Sequence, residues 1–186
     1  MILFCAKCGH ATQNFIPNGD ARPRDVCASA ACGEIHYENP RIVTGTLPLW
    51  QGKILLCKRA IEPRRGYWTL PAGFMELAET VEQGAVRETQ EEAGAAVSVR
   101  GLLAVLDVPH ASQVHTFYLA DLVDGQFAAG EESLEVALFE PADIPWAELA
   151  FKTVVLTLKH YLANPVDTPL LTDVVRYPAK QLAPSS

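Results

Sequence analysis

Within residues 73–95, GFMELAETVEQGAVRETQEEAGA, six glutamates (Glu76, Glu79, Glu82, Glu88, Glu91 and Glu92) accompany a single base, Arg87. On a helix, Glu88, Glu91 and Glu92 stand at i, i+3 and i+4 and project from one face. Like charges at that spacing destabilise a helix by about 0.2–0.5 kcal/mol per pair. Here they also crowd its last turns, where the macrodipole favours cations. Stability alone would select lysine. One arginine does not balance three carboxylates, so the pattern leaves room for a divalent ion, and hard oxygen ligands select Mg²⁺ or Mn²⁺. A carboxylate-held ion that keeps several waters is the arrangement used with phosphate groups. The plain alternative is a solvated acidic face, and both position and spacing count against it.

A second constellation lies at the start of the chain. Cys5-x2-Cys8-Gly9 and Cys27-x4-Cys32-Gly33 are separated by 18 residues and place four of the five cysteines in the first 32 positions. Two such pairs suit four thiolates converging on one tetrahedral Zn²⁺, with each glycine free to turn the backbone at positive φ. So short a segment, with few large apolar side chains, has no independent core, and a structural zinc supplies the missing folding free energy. Two disulfides are the rival reading; reduced cytosolic thiols argue against it. The x4 spacing leaves His10 and His36 as substitute ligands. Residues 1–36 carry Lys7, Arg22 and Arg24 against Asp20, Asp25 and Glu34, so this module has no basic face for nucleic acid. Cys57, inside the apolar run Lys53–Lys58, reads as an inert buried thiol.

The whole chain of 186 residues has 15 Lys and Arg against 22 Asp and Glu, a net charge of −7, which disfavours a phosphate-backbone binder. With 49% hydrophobic residues it can bury a core. No apolar run reaches the ~18–20 residues of a membrane span, and the first residues lack the order of a secretory signal, so the expected location is the cytoplasm.

Elements must hold these groups in place. Asn39-Pro40 marks the expected boundary, giving a zinc ribbon over 1–38, a main domain over 39–165 and an extended tail over 166–186 with Pro169, Pro178 and Pro184. Strands are predicted at Arg41–Trp50 and Lys53–Lys58, joined by a Gln51-Gly52 turn. A loop spans 59–73 and a helix Ala78–Ala93, stopped by Gly94. Strands follow at Val97–Val108, Val114–Leu122 and Glu135–Glu140. Phe151, Val154, Val155, Leu158, Tyr161 and Leu162 then space a closing amphipathic helix. One mixed sheet with helices packed on it, an α/β (α+β) class, is the simplest architecture.

The stretch Gly73–Ala95 resembles the box of the Nudix hydrolases, G-x5-E-x7-R-E-U-x-E-E-x-G-U, with U bulky and aliphatic. Gly73, Glu79, Arg87, Glu88, Glu91, Glu92 and Gly94 are in register, whereas Thr89 and Ala95 depart at the U positions. The resemblance covers about residues 40–163 and implies an α/β/α sandwich that hydrolyses a nucleoside diphosphate linked to another group. It also implies catalytic Mg²⁺ or Mn²⁺ on Glu88 and Glu92, with Glu91 as a further ligand or water-orienting group and the Ala72 carbonyl as another ligand. Arg87 would hold the glutamates and Glu79 would brace them. In related enzymes a later loop brings another glutamate. In Gly130–Glu135, Glu132 is favoured as ligand or base, ahead of Glu135.

Residues 51–72 carry Lys53, Lys58, Arg59, Arg64 and Arg65 against Glu62 alone, which suits an anionic substrate and makes Arg59 and Arg65 candidate phosphate contacts. Tyr67, Trp68, Phe74 and His110 are candidates to stack on a purine or flavin, with core packing as the alternative for each. A ribbon joined to this box resembles two Nudix groups. The NADH pyrophosphatases carry S-Q-P-W-P-F-P-x-S after the box, and residues 104–112 here lack it. Ribbon-bearing enzymes similar to FAD and ADP-ribose pyrophosphatases match better at Trp68–Glu76 and Gly130–Glu135. The expected reaction is therefore FAD or ADP-ribose to AMP plus FMN or ribose 5-phosphate. NADH hydrolysis, or a non-catalytic nucleotide sensor or nucleic-acid module, remains as the alternative. Related enzymes are often homodimers.

Overall fold

A computed structural model describes Met1–Val175, and the chain divides into two compact units, Met1–Asn39 and Pro40 onward. In the first unit, β1 (Thr12–Phe15), β2 (Arg24–Cys27) and β3 (Ile35–His36) form a three-stranded antiparallel sheet. Buried Asp25 ties the segment before β1 to the sheet, accepting from the Ile2 N–H at 2.6 Å and the Asn14 amide at 2.7 Å.

The second unit is built on a mixed sheet. Its strands are β4 (Arg41–Trp50), β5 (Lys53–Arg59), β6 (Trp68–Thr69), β7 (Ala72–Phe74), β8 (Val97–Val108), β9 (Gln113–Leu122), β10 (Ser133–Phe139) and β11 (Leu171–Val174). The main order is β10-β5-β4-β9-β8-β11, with β4–β9 and β8–β11 parallel. Alternation along β5 explains the layers. Ile54 and Leu56 enter the larger core with Val154 and Leu158 of helix α2 (Lys152–Ala163), while Leu55 and Cys57 enter a smaller one with Ala93 at the end of helix α1 (Val81–Ala93). The sheet is thus covered on both faces, as an α/β/α sandwich. No helix among the described residues is long and apolar enough to cross a membrane.

One irregularity positions the site. β4 and β5 leave the Gln51-Gly52 turn paired through Leu49↔Ile54 and Trp50↔Lys53, then diverge. Into the gap come β6, against Cys57 and Lys58 of β5, and β7, against Val43–Gly45 of β4. The backbone of Pro71-Ala72 presses so closely on β4 that a Cβ at Gly45 would overlap the Pro71 carbonyl and the Ala72 side chain. The predicted loop over 59–73 therefore contains two short strands whose sequence is too short to show a period.

Other differences from the sequence reading have local causes. Ala78 has φ of +67°, outside the helical region, so α1 begins later. Thr80 is its N-cap, in a capping box with Gln83, and Gly94 at φ +57° ends it as expected. The tail is more than an extended appendage: Leu171–Val174 pairs in parallel with Ala104–Asp107 at the sheet edge. Pro178, Pro184 and the rest of 176–186 lie outside the described residues.

Gly45→Ala should cost about 2 kcal/mol or more, because backbone rather than a flexible side chain must move. Urea unfolding measures this; an unchanged midpoint would show that the close approach of Pro71 is not needed.

Candidate active site

The inner face of α1 is unusual for a packed helix. Its buried residues are Gly84, Ala85, Glu88, Thr89, Glu92 and Ala93, so two of six are carboxylates. Small residues let the helix sit close to β4. Thr89, at a position where the resemblance expects a bulky aliphatic side chain, instead shares a hydrogen bond of 2.6 Å with Thr46 and donates to the Ala85 carbonyl at 2.8 Å. Thr44 donates to the Val81 carbonyl at 2.8 Å.

Arg87 organises the remaining acids. Its Nε and Nη2 donate to the two oxygens of Glu79 at 3.0 and 2.9 Å, and Nη2 also donates to the Phe74 carbonyl at 3.1 Å. Its Nη1 donates to Glu88 Oε1 at 2.8 Å and Glu91 Oε2 at 2.9 Å. These five bonds use every N–H the guanidinium has. Hydrogen bonds from Arg87 and from the Glu76 N–H bring Glu79 down to about 2, and pairing with Glu79 raises Arg87.

Glu92 receives no such help. Its Oε2 accepts the Ala72 N–H at 3.2 Å, and burial, reinforced by the charges of Glu88 and Glu132, pushes it up to about 8. Burial also raises Glu88, against the pull of Arg87. Glu88 lies against the backbone of residue 73 so tightly that a Cβ there would overlap its carboxylate, which accounts for Gly73.

The end of α1 is completed by the loop before β10. The N–H of Ala128 donates to the Ala93 carbonyl at 2.8 Å and that of Gly130 to the Glu92 carbonyl at 3.1 Å, satisfying helix-end acceptors. This anchorage brings Glu131 and Glu132 to a cavity of about 940 Å³ that is also lined by Glu88, Glu91, Glu92, Arg87, Ala72, Arg59 and Phe74. The lining has seven glutamates and two arginines.

The sequence candidates therefore separate. Glu88, Glu91, Glu92, Arg87, Ala72, Glu132, Arg59, Phe74 and His110 converge on one cavity, whereas Glu135 pairs with Lys58 at 3.6 Å outside it. Trp68, expected at the substrate, is instead 6% exposed in the core, edge-on to Phe139 at 4.8 Å, because β6 is pinned between β5 and the segment around Leu149. Arg65 is exposed on the 59–67 loop and does not border the cavity. Tyr67 packs with Arg64, also away from the cavity. Sequence reasoning missed Arg41, Gln113, His115, Phe151 and Thr153. Arg41 lies 4.6 Å over the Phe74 ring; the others border the cavity, and no local spacing signals them.

Residues 39–158 match the family described as NUDIX domain, and residues 3–38 the one described as Nudix N-terminal. The chain belongs to the NUDIX family. An ADP-ribose pyrophosphatase of Methanocaldococcus jannaschii is 34% identical over 119 residues, 62% of this chain and 69% of that protein. A NAD-capped RNA hydrolase NudC of Haemophilus influenzae is 33% identical over 154 residues, 78% of this chain and 54% of that protein; the chain thus spans about half the length of such relatives. The crystal structure of a NUDIX hydrolase from Nitrosomonas europaea is 47% identical, covers 94% of this chain and 99% of its own, and superposes with a TM-score of 0.88.

In the Nudix N-terminal unit the Sγ atoms of Cys5, Cys8, Cys27 and Cys32 lie within 4.8 Å of one another, with Cys8–Cys27 at 3.4 Å and Cys5–Cys32 at 3.9 Å. Four ligands at ~2.3 Å from zinc give edges of about 3.8 Å, far from the ~2.05 Å of a disulfide. Gly9 and Gly33 have the positive φ expected of them, +75° and +59°. Burial opposes the Cys5 thiolate, but the N–H groups of Lys7 and Cys8 and the His36 side chain outweigh it and bring that thiol to about 6. The set fits a structural zinc. Among the described residues no carboxylate group is gathered as tightly as these sulfurs. Cys57, as expected, is buried and its thiol is pushed up by burial.

Two predictions follow from these environments. Without a divalent cation, Glu92 keeps its proton in the folded protein between the ordinary Glu value of 4.5 and about 8, where the unfolded chain loses it, while the lowered His115 and Cys5 act in the opposite sense over parts of that window. The stability that Glu92 contributes to the metal-free protein should therefore fall as pH rises through that window, so Glu92→Gln should show a more positive slope of stability against pH in thermal unfolding; an equal slope in both proteins would contradict the assignment. A strong chelator should remove one zinc per chain and abolish amide protection in residues 1–39, measured by metal analysis and hydrogen exchange. Purified protein that carries no zinc yet retains that protection would refute the zinc reading.

Proposed function

We propose that this chain is a Mg²⁺- or Mn²⁺-dependent hydrolase that cleaves the pyrophosphate of FAD or ADP-ribose, giving AMP plus FMN or ribose 5-phosphate. The observation that carries the reading is the pair of buried carboxylates, Glu88 and Glu92, facing a cavity with a large excess of acids. Their oxygens are hard donors, and the raised Glu92 marks a carboxylate whose burial the Ala72 N–H and the charge of Arg59 do not offset. These residues fit a divalent cation. Glu88, Glu92 and the Ala72 carbonyl would hold it, with Glu91 and Glu132 as further ligands. When bound, the cation supplies neutralisation of the pyrophosphate and a lowered pKa for the attacking water.

The protein's own groups do the rest. Arg87, saturated by five acceptors, fixes Glu88 and Glu91 and cannot itself reach out to phosphate. Arg59, whose guanidinium lies 5.0 Å over the Phe151 ring at the cavity wall, is placed to meet substrate phosphate oxygens. Glu132, on the loop anchored to the end of α1, is the candidate to accept the proton of the attacking water. The ADP-ribose pyrophosphatase relative supports the substrate class. The NudC relatives support a second reading, an NADH-type dinucleotide.

Purified chain supplied with Mg²⁺ or Mn²⁺ should release AMP from FAD or ADP-ribose, with products separated by chromatography. AMP from NADH alone would favour the second reading, and AMP from none of the three would overturn the proposal. Glu92→Gln should lower turnover by about a hundredfold or more, since even residues supporting a metal ligand cost 10–100-fold. In the metal-free protein its urea midpoint should not fall, because glutamine keeps an acceptor for the Ala72 N–H and has no charge to bury. Unchanged turnover would remove Glu92 from the mechanism.

A further inference from the structure

Along the cavity, the starts of β4 and β9 lie side by side in parallel register, Arg41↔Gln113 and Val43↔His115, and Gln113 and His115 both line it. Gln113 and His115, two apart on a strand, face the same way. His115 Nδ1 lies 3.1 Å from the hydroxyl of Thr153, and its Nε2 lies 2.9 Å from Gln113 Oε1. Thr153 is 3% exposed and its hydroxyl has no other acceptor among the described residues, so it donates to Nδ1. His115 is then neutral with its proton on Nε2, consistent with burial, which brings it down to about 4. The Nε2–H donates to Gln113 Oε1 and fixes which way the amide points. The Gln113 NH₂ has no partner among the described residues, and one lone pair of Oε1 remains open.

We propose that Gln113 reads the base of the substrate, selecting adenine over guanine, and that His115 and Thr153 are positioning residues that lock its amide. The inference rests on the nucleotide-hydrolase reading and deepens it. A glutamine amide offers one donor and one acceptor side by side, which matches the N7 acceptor and N6 amino donor of adenine; guanine presents two acceptors, N7 and O6, at the same edge. A freely rotating amide does not escape this mismatch, but a locked one presents its donor and acceptor in a single order. Val43, Ala111 and Phe151 line the cavity together with Gln113 and offer apolar surface on which a base can pack.

The test compares ADP-ribose with GDP-ribose, which differ in the base alone, on the full chain with Mn²⁺. The adenine compound should have the higher kcat/KM by about five- to hundredfold, the range of one bidentate base contact. Gln113→Ala should bring that ratio close to one, chiefly by raising KM for ADP-ribose, with kcat within about threefold. His115→Phe, which keeps Gln113 but releases its amide, should lower the ratio part-way. Calorimetric binding of AMP and GMP gives the same comparison without turnover. If neither dinucleotide is cleaved while AMP still binds more tightly than GMP in a Gln113-dependent way, the pyrophosphatase reading fails and base selection stands. If the wild type treats the two bases alike, or Gln113→Ala keeps the preference, the inference is overturned.

Discussion

Placing Glu88 and Glu92 on the packed face of α1 is the constraint from which the rest of this structure follows. A helix that buries carboxylates gives up the apolar contact that usually holds it to a sheet, and it gathers negative charge near its own negative end. Arg87 compensates for part of this, reaching Glu79, Glu88 and Glu91 together, but its donors are exhausted before Glu92 is served. The remaining imbalance is one that a divalent cation would correct. Replacing these acids with apolar residues would make a better-packed helix with nothing to offer a pyrophosphate.

The scaffold accommodates that helix by close approach rather than by bulk. The divergence of β4 from β5 opens a slot in which Pro71–Phe74 runs, so that the Ala72 N–H meets Glu92 and residue 73 lies beneath Glu88. Hydroxyls replace aliphatic contacts, with Thr44, Thr46 and Thr89 joining helix and sheet. The loop before β10 satisfies the last carbonyls of α1 and in doing so delivers Glu132. The same hydrogen bonds that finish the helix thus also bring further acids to the cavity.

Much of this was legible in the sequence where chemistry and period coincide. The acidic repeat on α1, the Gly94 stop and the two cysteine pairs are local patterns, and α1 formed within a few residues of its expected bounds. Thr80 as the cap was obscured because Ala78 and Glu79 are themselves good helix formers; the positive φ of Ala78 decides the point. Trp68 illustrates a different limit. An aromatic beside a functional loop suits either stacking or core, and its place between β5 and the Leu149 segment is set by pairing that is remote in sequence. The Gln113–His115–Thr153 chain was invisible for the same reason, since it exists only once α2 packs beside the start of β9.

The central claim is that a divalent cation is what makes two buried carboxylates tolerable. Anomalous diffraction from Mn²⁺-soaked crystals addresses it directly. The account predicts a manganese peak at the cavity, held by Glu88 and Glu92. A map without such a peak, in which Glu88 stays on Arg87 and Glu92 stays protonated against the Ala72 N–H, would contradict it.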